Sequence, residues 1–385
     1  MTSVATPSSS SNTGSSLALR NFVQTCRSPE TRKIYLAALQ YFMDYLKIER
    51  DRYDKLLEKD PKLIQMDISD YITYLKDSTT LSSGSISTYI SAVRKFYTMN
   101  DITTLNWEKI HSFEPDREKS VEDRPYTHAE IKRLIENTSP RNRAIILLMS
   151  SSAPRVGALS GIRIKDLESI DKYDIYKITY YPQSKKFRYF SFCTPECRRA
   201  IDDYLDYRRR WGERIAENTP LFRTDFNARN AERSATSKTL STLRMRSIIG
   251  EIARDCGMRQ VSTELIPIDS SVNNRKKVKR LDIMSNHGLR KFFEKQAYTA
   301  GMDHMRIRRL MGQKSGLEDS YLKLNEDELL EGDDRHVGFV GIIDSLTIDE
   351  THRLKVKVEK LQIEVSKVDG ILADLAEMRK QIGLG

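Results

Sequence analysis

Between His287 and Lys323 the chain reads HGLRKFFEKQAYTAGMDHMRIRRLMGQKSGLEDSYLK, a concentration of side chains suited to a phosphate ester. His287 and Arg290 form a His-x-x-Arg pair, and Tyr321 follows a helix-like run and a turn holding Gly and Ser. Far upstream, Arg155 stands in APRVGALSGIRIKDL, and Lys185 and Lys186 follow in PQSKK. Such a set can break a phosphodiester without a metal. Arginines neutralise the phosphate oxygens, a tyrosine hydroxyl attacks, and His and Lys move protons. His287 and Arg290 are one helical turn apart and so share a face. Each residue alone is weak: a tyrosine in a helical region is usually a core residue, and an arginine after Pro154 can simply pair with a carboxylate. The ordered set is the signal.

The elements that must position these groups are mostly helices. Residues 1–18 are nearly all small and polar, cannot bury apolar area, and are expected to be a disordered tail. The region 19–112 reads as all-helical. Ser28-Pro29 starts one helix as N-cap and first helical residue, and Ile34, Leu36, Leu39, Phe42, Met43 and Leu46 recur near a 3.6 period. A second helix is expected from Asp67, and a third from Ser83–Ser85. The third carries Ile86, Ile90, Val93 and Phe96 on one side and Ser87, Thr88, Ser91, Arg94 and Lys95 on the other. That polar side is either a solvated face or a surface of hydroxyls and cations laid on DNA. A charged, proline-containing linker spans 113–125.

A second domain is expected over 126–330. Thr127 and Glu130 form a capping box, AIILLM marks a buried helix, and YDIYKITYYPQSKKFRYFSF reads as a β-hairpin turning at PQSKK. Helix is expected from Pro195 to about Glu217, then a polar loop over 223–240. Arg275, Lys276, Lys277, Lys279 and Arg280 crowd into VNNRKKVKR, as a solvated loop or a phosphate clamp. The extension 331–385 carries heptad-spaced Leu354, Val358, Leu361, Val365, Val368, Leu372 and Leu375. These suit a short coiled coil or a helix packed on its own domain, with oligomerisation favoured. The expected fold is therefore mainly α with a small β-sheet.

Composition narrows the class. A net charge of +10 over 385 residues favours a polyanionic partner. Four scattered cysteines do not make a disulfide framework, and the lone Cys193-x-x-x-Cys197 lacks a second pair for zinc. No apolar run suits a membrane span, and no secretory signal opens the chain, so a soluble cytoplasmic, nucleoid-associated protein without metal or cofactor is expected.

On these motifs the chain resembles the tyrosine recombinases, or phage integrase family. APRVGALSGIRIKDL is similar to the family's first-arginine motif, KITYYPQSKKFRYFSF to its lysine hairpin, HGLRKFF to its H-x-x-R box and MGQKSGLEDSYLK to its last box with the tyrosine. TRKIYLAALQYF and STYISAVRKFY resemble its helical core-binding domain, so the likeness covers 19–330. The helical tail after the tyrosine resembles integrases of archaeal mobile elements. One position departs: Gln313 stands where the family has His or Trp, and Gln can donate a hydrogen bond but carries no charge.

The resemblance implies a site-specific recombinase acting on double-stranded DNA as a tetramer. Arg155 and Arg290 would clamp the phosphate, Tyr321 would form a 3′-phosphotyrosine, and His287 would assist. Lys185 or Lys186 would protonate the leaving 5′-oxygen, Lys185 being preferred as nearer the turn tip. Two neighbouring lysines on a strand would point to opposite faces. The competing readings are a type IB topoisomerase-like enzyme and a non-catalytic DNA-binding protein derived from a recombinase.

Overall fold

The structure is a computed structural model that describes residues 17–79, 81–116, 124–136, 138–225, 238–258, 285–313 and 324–381. The segment Arg275–Arg280 and Tyr321 therefore lie outside the described residues. The described residues divide into two compact units, one up to residue 116 and one from residue 124 onward.

The first unit is helical. Helix α1 (Leu17–Gln24) begins two residues inside the expected tail, because Ala18 and Phe22 are buried in the core. Helix α2 (Pro29–Tyr45) starts where Ser28 accepts a hydrogen bond from the Thr31 amide. Helix α3 (Pro61–Ser78) begins a turn and a half before Asp67. The reason is a cap the apolar period does not show: Asp60 accepts from the Lys62 amide, and Pro61 takes the first helical position. Helix α4 (Ser83–Met99) buries Ile86, Ile90, Val93 and Phe96, and α5 (Trp107–His111) closes the unit. Phe22, Phe42, Tyr71 and Phe96 form its aromatic centre.

The second unit is built around α7 (Pro140–Ser152), preceded by α6 (His128–Glu136). The Thr127–Glu130 capping box forms: the Thr127 amide donates to the Glu130 carboxylate at 2.8 Å and the Glu130 amide to the Thr127 hydroxyl at 3.2 Å. Ala144 to Met149 are all buried, so α7 is apolar all round and packs on α9 (Pro195–Arg210) and α11 (Ser285–Thr299). Between them lie the short helix α8 (Val156–Leu159) and an antiparallel sheet in the order β1 (Leu167–Ile170), β2 (Ile175–Tyr180), β3 (Tyr189–Phe192). The hairpin β2–β3 is the expected one, registered Lys177 to Phe192 and Tyr180 to Tyr189. Strand β1 is additional; only four residues long, it was hidden in a polar stretch. Helix α9 stops at Arg210, short of Glu217, because Gly212 takes φ 83° and reverses the chain. There the fully buried Arg208 pairs with Glu213 at 2.5 Å, and Arg223 joins the same carboxylate at 2.6 Å.

Helices α10 (Thr242–Asp255), α12 (His304–Leu310) and α13 (Glu326–Leu330) follow, then the ribbon β4 (Gly332–Asp333) with β5 (His336–Val337), and α14 (Phe339–Leu346). The boundary expected at 330 falls inside this core. Phe339, Ile342, Leu346 and Ile348 are buried in the same cluster as Leu289 and Phe292, and the Ile348 amide donates to Glu196. Only α15 (Glu350–Gln381) is an extension. The fold is mainly helical with a small antiparallel sheet. No helix among the described residues is long and apolar enough to cross a membrane.

Candidate active site

Helix α7 ends at Ala153, which takes the left-handed conformation at φ 49° and turns the chain outward through Pro154. Arg155 follows as the residue before α8, exposed at its start. Its Nη1 donates to the Gly312 carbonyl at 3.0 Å. Arg290, on the buried side of α11, donates from Nη1 to the Ala153 carbonyl and from Nη2 to the Met311 carbonyl at 2.7 Å. Consecutive carbonyls of one turn, 311 and 312, thus hold the two arginines expected from the sequence. The turn follows α12, and Gly312 at φ 61° reverses it.

Tyr189 on β3 is the floor beneath that turn. A Cβ at position 312 would come within 2.5 Å of its ring, so only glycine lets the backbone lie this close. The ring stacks on Tyr180 at 4.9 Å, and Tyr180 is held through its hydroxyl to Ser152 at 2.7 Å. Burial pushes the Tyr189 phenol up to about 12, against the pull of Arg290.

The electrostatics of Arg290 set it apart from the buried Arg208. Among the described residues no carboxylate lies within ion-pair range of Arg290 or Arg155, whereas Arg208 has Glu213. Burial lowers the pKa of Arg290, and Arg155 adds like-charge repulsion. A guanidinium keeps its proton regardless. The result is a buried positive charge, 5 % exposed, met by two carbonyl dipoles, the Tyr189 phenol and the more distant Glu294 carboxylate. A site of this kind is completed by an anion.

An adjoining cavity of about 1060 Å³ is lined by Arg155, Lys185, Lys186, Arg188, Arg309 and Gln313. Lys177 also faces it but is neutralised between Glu168 at 2.7 Å and Glu326 at 2.6 Å. Lys185 and Lys186 lie in the loop joining β2 to β3, both exposed, and both reach the cavity wall. The expected division of the two lysines between strand faces therefore does not apply: neither is on a strand. Lys186 leans over the Phe187 ring at 5.4 Å. Gln313 lines the cavity beside Gly312, with its amide on the Arg308 carbonyl at 2.9 Å. His287 is exposed in the first turn of α11, three residues before Arg290.

The polar side of α4 is placed in the first unit. Ser91 and Arg94 are exposed, and Ser87, Thr88 and Lys95 are half-buried. Thr88 and Ser91 spend their hydroxyl hydrogens on the carbonyls of Gly84 and Ser87, at 2.9 and 2.7 Å. Arg94 lies over the Trp107 ring at 5.4 Å. Cys193 and Cys197 are buried free thiols behind the sheet. The sequence reading missed Tyr189, Tyr181, Arg188 and Arg309. The two arginines were visible as cations in KKFRYF and RIRRL; the tyrosines had no local signal.

No protein-family model matches the chain, and no curated protein matches it. Solved structures do. The Tn1549 transposon integrase in complex with circular intermediate DNA matches with a TM-score of 0.52 at 14 % identity, over 80 % of this chain and 96 % of that one. The XerH site-specific recombinase bound to palindromic difH substrate, a post-cleavage complex, matches with a TM-score of 0.51 at 15 % identity, over 74 % and 73 %. A second Tn1549 integrase complex, with transposon right end DNA, gives 0.50 at 16 % identity over 80 % and 96 %. The chain shares with these integrase and recombinase structures a mainly helical fold carrying a small antiparallel sheet.

Proposed function

We propose that this chain is a site-specific DNA recombinase that cuts and rejoins DNA through Tyr321. The observation that carries the reading is the pair Arg155 and Arg290, held by neighbouring carbonyls with no carboxylate in ion-pair range among the described residues, beside a cavity of further cations. This suits a phosphodiester whose two non-bridging oxygens carry growing charge in the transition state. Tyr321 Oη attacks phosphorus, its phenol proton passing to His287 or to water, and the bond to the 5′-oxygen breaks. A 3′-phosphotyrosine and a free 5′-hydroxyl result, with Lys185 or Lys186 giving the leaving oxygen its proton. A 5′-hydroxyl from the partner strand then attacks the same phosphorus and releases the tyrosine. The ester energy stays in the covalent link, so no nucleotide hydrolysis is needed. His287 assists once DNA is bound, and Gln313 donates a neutral hydrogen bond.

Two features support Tyr321 as the nucleophile. Glu326 is ion-paired to Lys177 on the cavity wall, and five residues of chain reach at most about 18 Å. Gln313, at the other end of the same segment, lines that cavity. DNA exchange between two sites requires four protomers, and the basic segment Arg275, Lys276, Lys277, Lys279 and Arg280 is proposed to add phosphate contacts, with the α4 face. The Tn1549 integrase structures, which are complexes with DNA, support this reading. Incubation of the chain with a library of nicked duplexes, followed by sequencing of covalently held DNA, tests it. A single enriched sequence whose paired copies yield recombinants is expected. Relaxation of plasmids without recombinants would mean a topoisomerase, and duplex binding without any adduct a non-catalytic protein.

A further inference from the structure

Tyr181 ends strand β2 and begins the loop that carries Lys185 and Lys186, and its backbone is left-handed at φ 51°. A bulky aromatic rarely adopts that conformation, and such positions gather at functional sites. The strain separates two neighbouring tyrosines. Tyr180 goes into the core and binds Ser152, while Tyr181 lines the cavity with Arg155. Its ring rests against Phe187 and Tyr189, with centroids 6.5 and 6.4 Å away. Its hydroxyl stands over Gly157, two residues beyond Arg155, where a Cβ would lie 3.7 Å from the phenol oxygen.

No described residue accepts a hydrogen bond from that hydroxyl. Burial raises the phenol pKa, and the charges of Arg155 and Arg290 only partly offset this. The phenol therefore keeps its proton near neutral pH and is a donor rather than a nucleophile. The charged groups acting on it are two arginines, so what docks beside it is an anionic oxygen. We propose that the Tyr181 hydroxyl is a further hydrogen-bond donor to the phosphate oxygen held by Arg155. This rests on the phosphodiester reading above, and it supplies a donor in a site where Gln313 carries no charge.

Tyr181→Phe in the full chain keeps the ring and removes the donor. On a nicked duplex of the sequence recovered by covalent trapping, single-turnover cleavage at saturating protein is expected to slow roughly 10- to 100-fold. The defect should disappear on one stereoisomer of a methylphosphonate duplex, which lacks the oxygen that Tyr181 contacts. Wild-type cleavage by the variant, or an equal defect on every substrate, would overturn the proposal and leave a packing role. A second arm needs no DNA: binding of inorganic phosphate, followed by phosphorus NMR, should weaken several-fold in the variant, and unchanged binding overturns the proposal. Failure of wild type to form any adduct would sink the Tyr321 reading alone, because the phosphate arm still decides Tyr181.

Discussion

Arg290 and Gly312 show how one residue's conformation governs another's charge. The Met311 carbonyl can reach Arg290, and the Gly312 carbonyl Arg155, only while the turn lies flat on Tyr189. Gly312→Ala adds a Cβ where the ring already stands and strains a backbone at φ 61°. Gly257 also has positive φ, at 69°, but open space around it. Both substitutions should cost about 1–2 kcal/mol for the left-handed backbone in urea unfolding. Only Gly312→Ala should also lower covalent adduct formation, by more than about ten-fold; equal activity of the two variants would mean that the turn does not position the arginines. At this scale Arg155, Arg290 and Gln313 were legible because their types and order are unusual. The carbonyls that hold them and the left-handed Tyr181 were not, because a backbone contact across 157 residues leaves no trace in local sequence.

At the scale of elements, caps and periods were readable and buried charges were not. Ser28 and Thr127 cap their helices as expected, α4 begins at Ser83 inside its expected range, and α3 could have been started at Asp60-Pro61 on the capping rule. The Arg208–Glu213–Arg223 cluster joins residues from the end of α9 and the loop after it. Burial raises the Glu213 pKa, but hydrogen bonds from both arginines outweigh it and hold the carboxyl below its usual value. Its folded pKa is depressed, so the stability it gives is present above the ordinary carboxylate range and is lost as pH falls through that range. Glu213→Gln should cost about 3–5 kcal/mol by leaving two buried guanidiniums short of charge. Urea titrations should also show a shallower loss of stability below pH 5 in the variant than in wild type. A cost under 1 kcal/mol would mean that water reaches the cluster.

For the whole molecule, the heptad helix and the basic segment matter most. On α15, Leu354, Val358, Leu361, Val365, Val368, Leu372 and Leu375 remain 49–59 % exposed in the single chain. A helix packed on its own unit would have covered that seam, so self-association is the better of the two sequence readings. Ile348 is buried and its amide is bound, so the deletion that tests this begins after Asp349. The shortened chain should unfold as cooperatively as the full one but have a lower mass by light scattering. An unchanged mass would refute the seam. Neutralising Arg275, Lys276, Lys277, Lys279 and Arg280 should flatten the log–log salt dependence of DNA binding by roughly 0.9 per lost phosphate contact. An unaltered slope would make the segment a solvated loop. Patterning of seven residues at heptad spacing made the tail legible, whereas the fold of residues 331–348 into the core was masked by the acidic stretch before them.

The proposed strand transfer rests on a covalent bond between Tyr321 and DNA. Wild-type protein incubated with a nicked duplex of its trapped sequence, digested with nuclease and protease, can be read by mass spectrometry. A nucleotide attached through a 3′-phosphate is expected on the peptide holding Tyr321, and it should be lost in Tyr321→Phe. An adduct on another residue, or an equal yield from Tyr321→Phe, would contradict it.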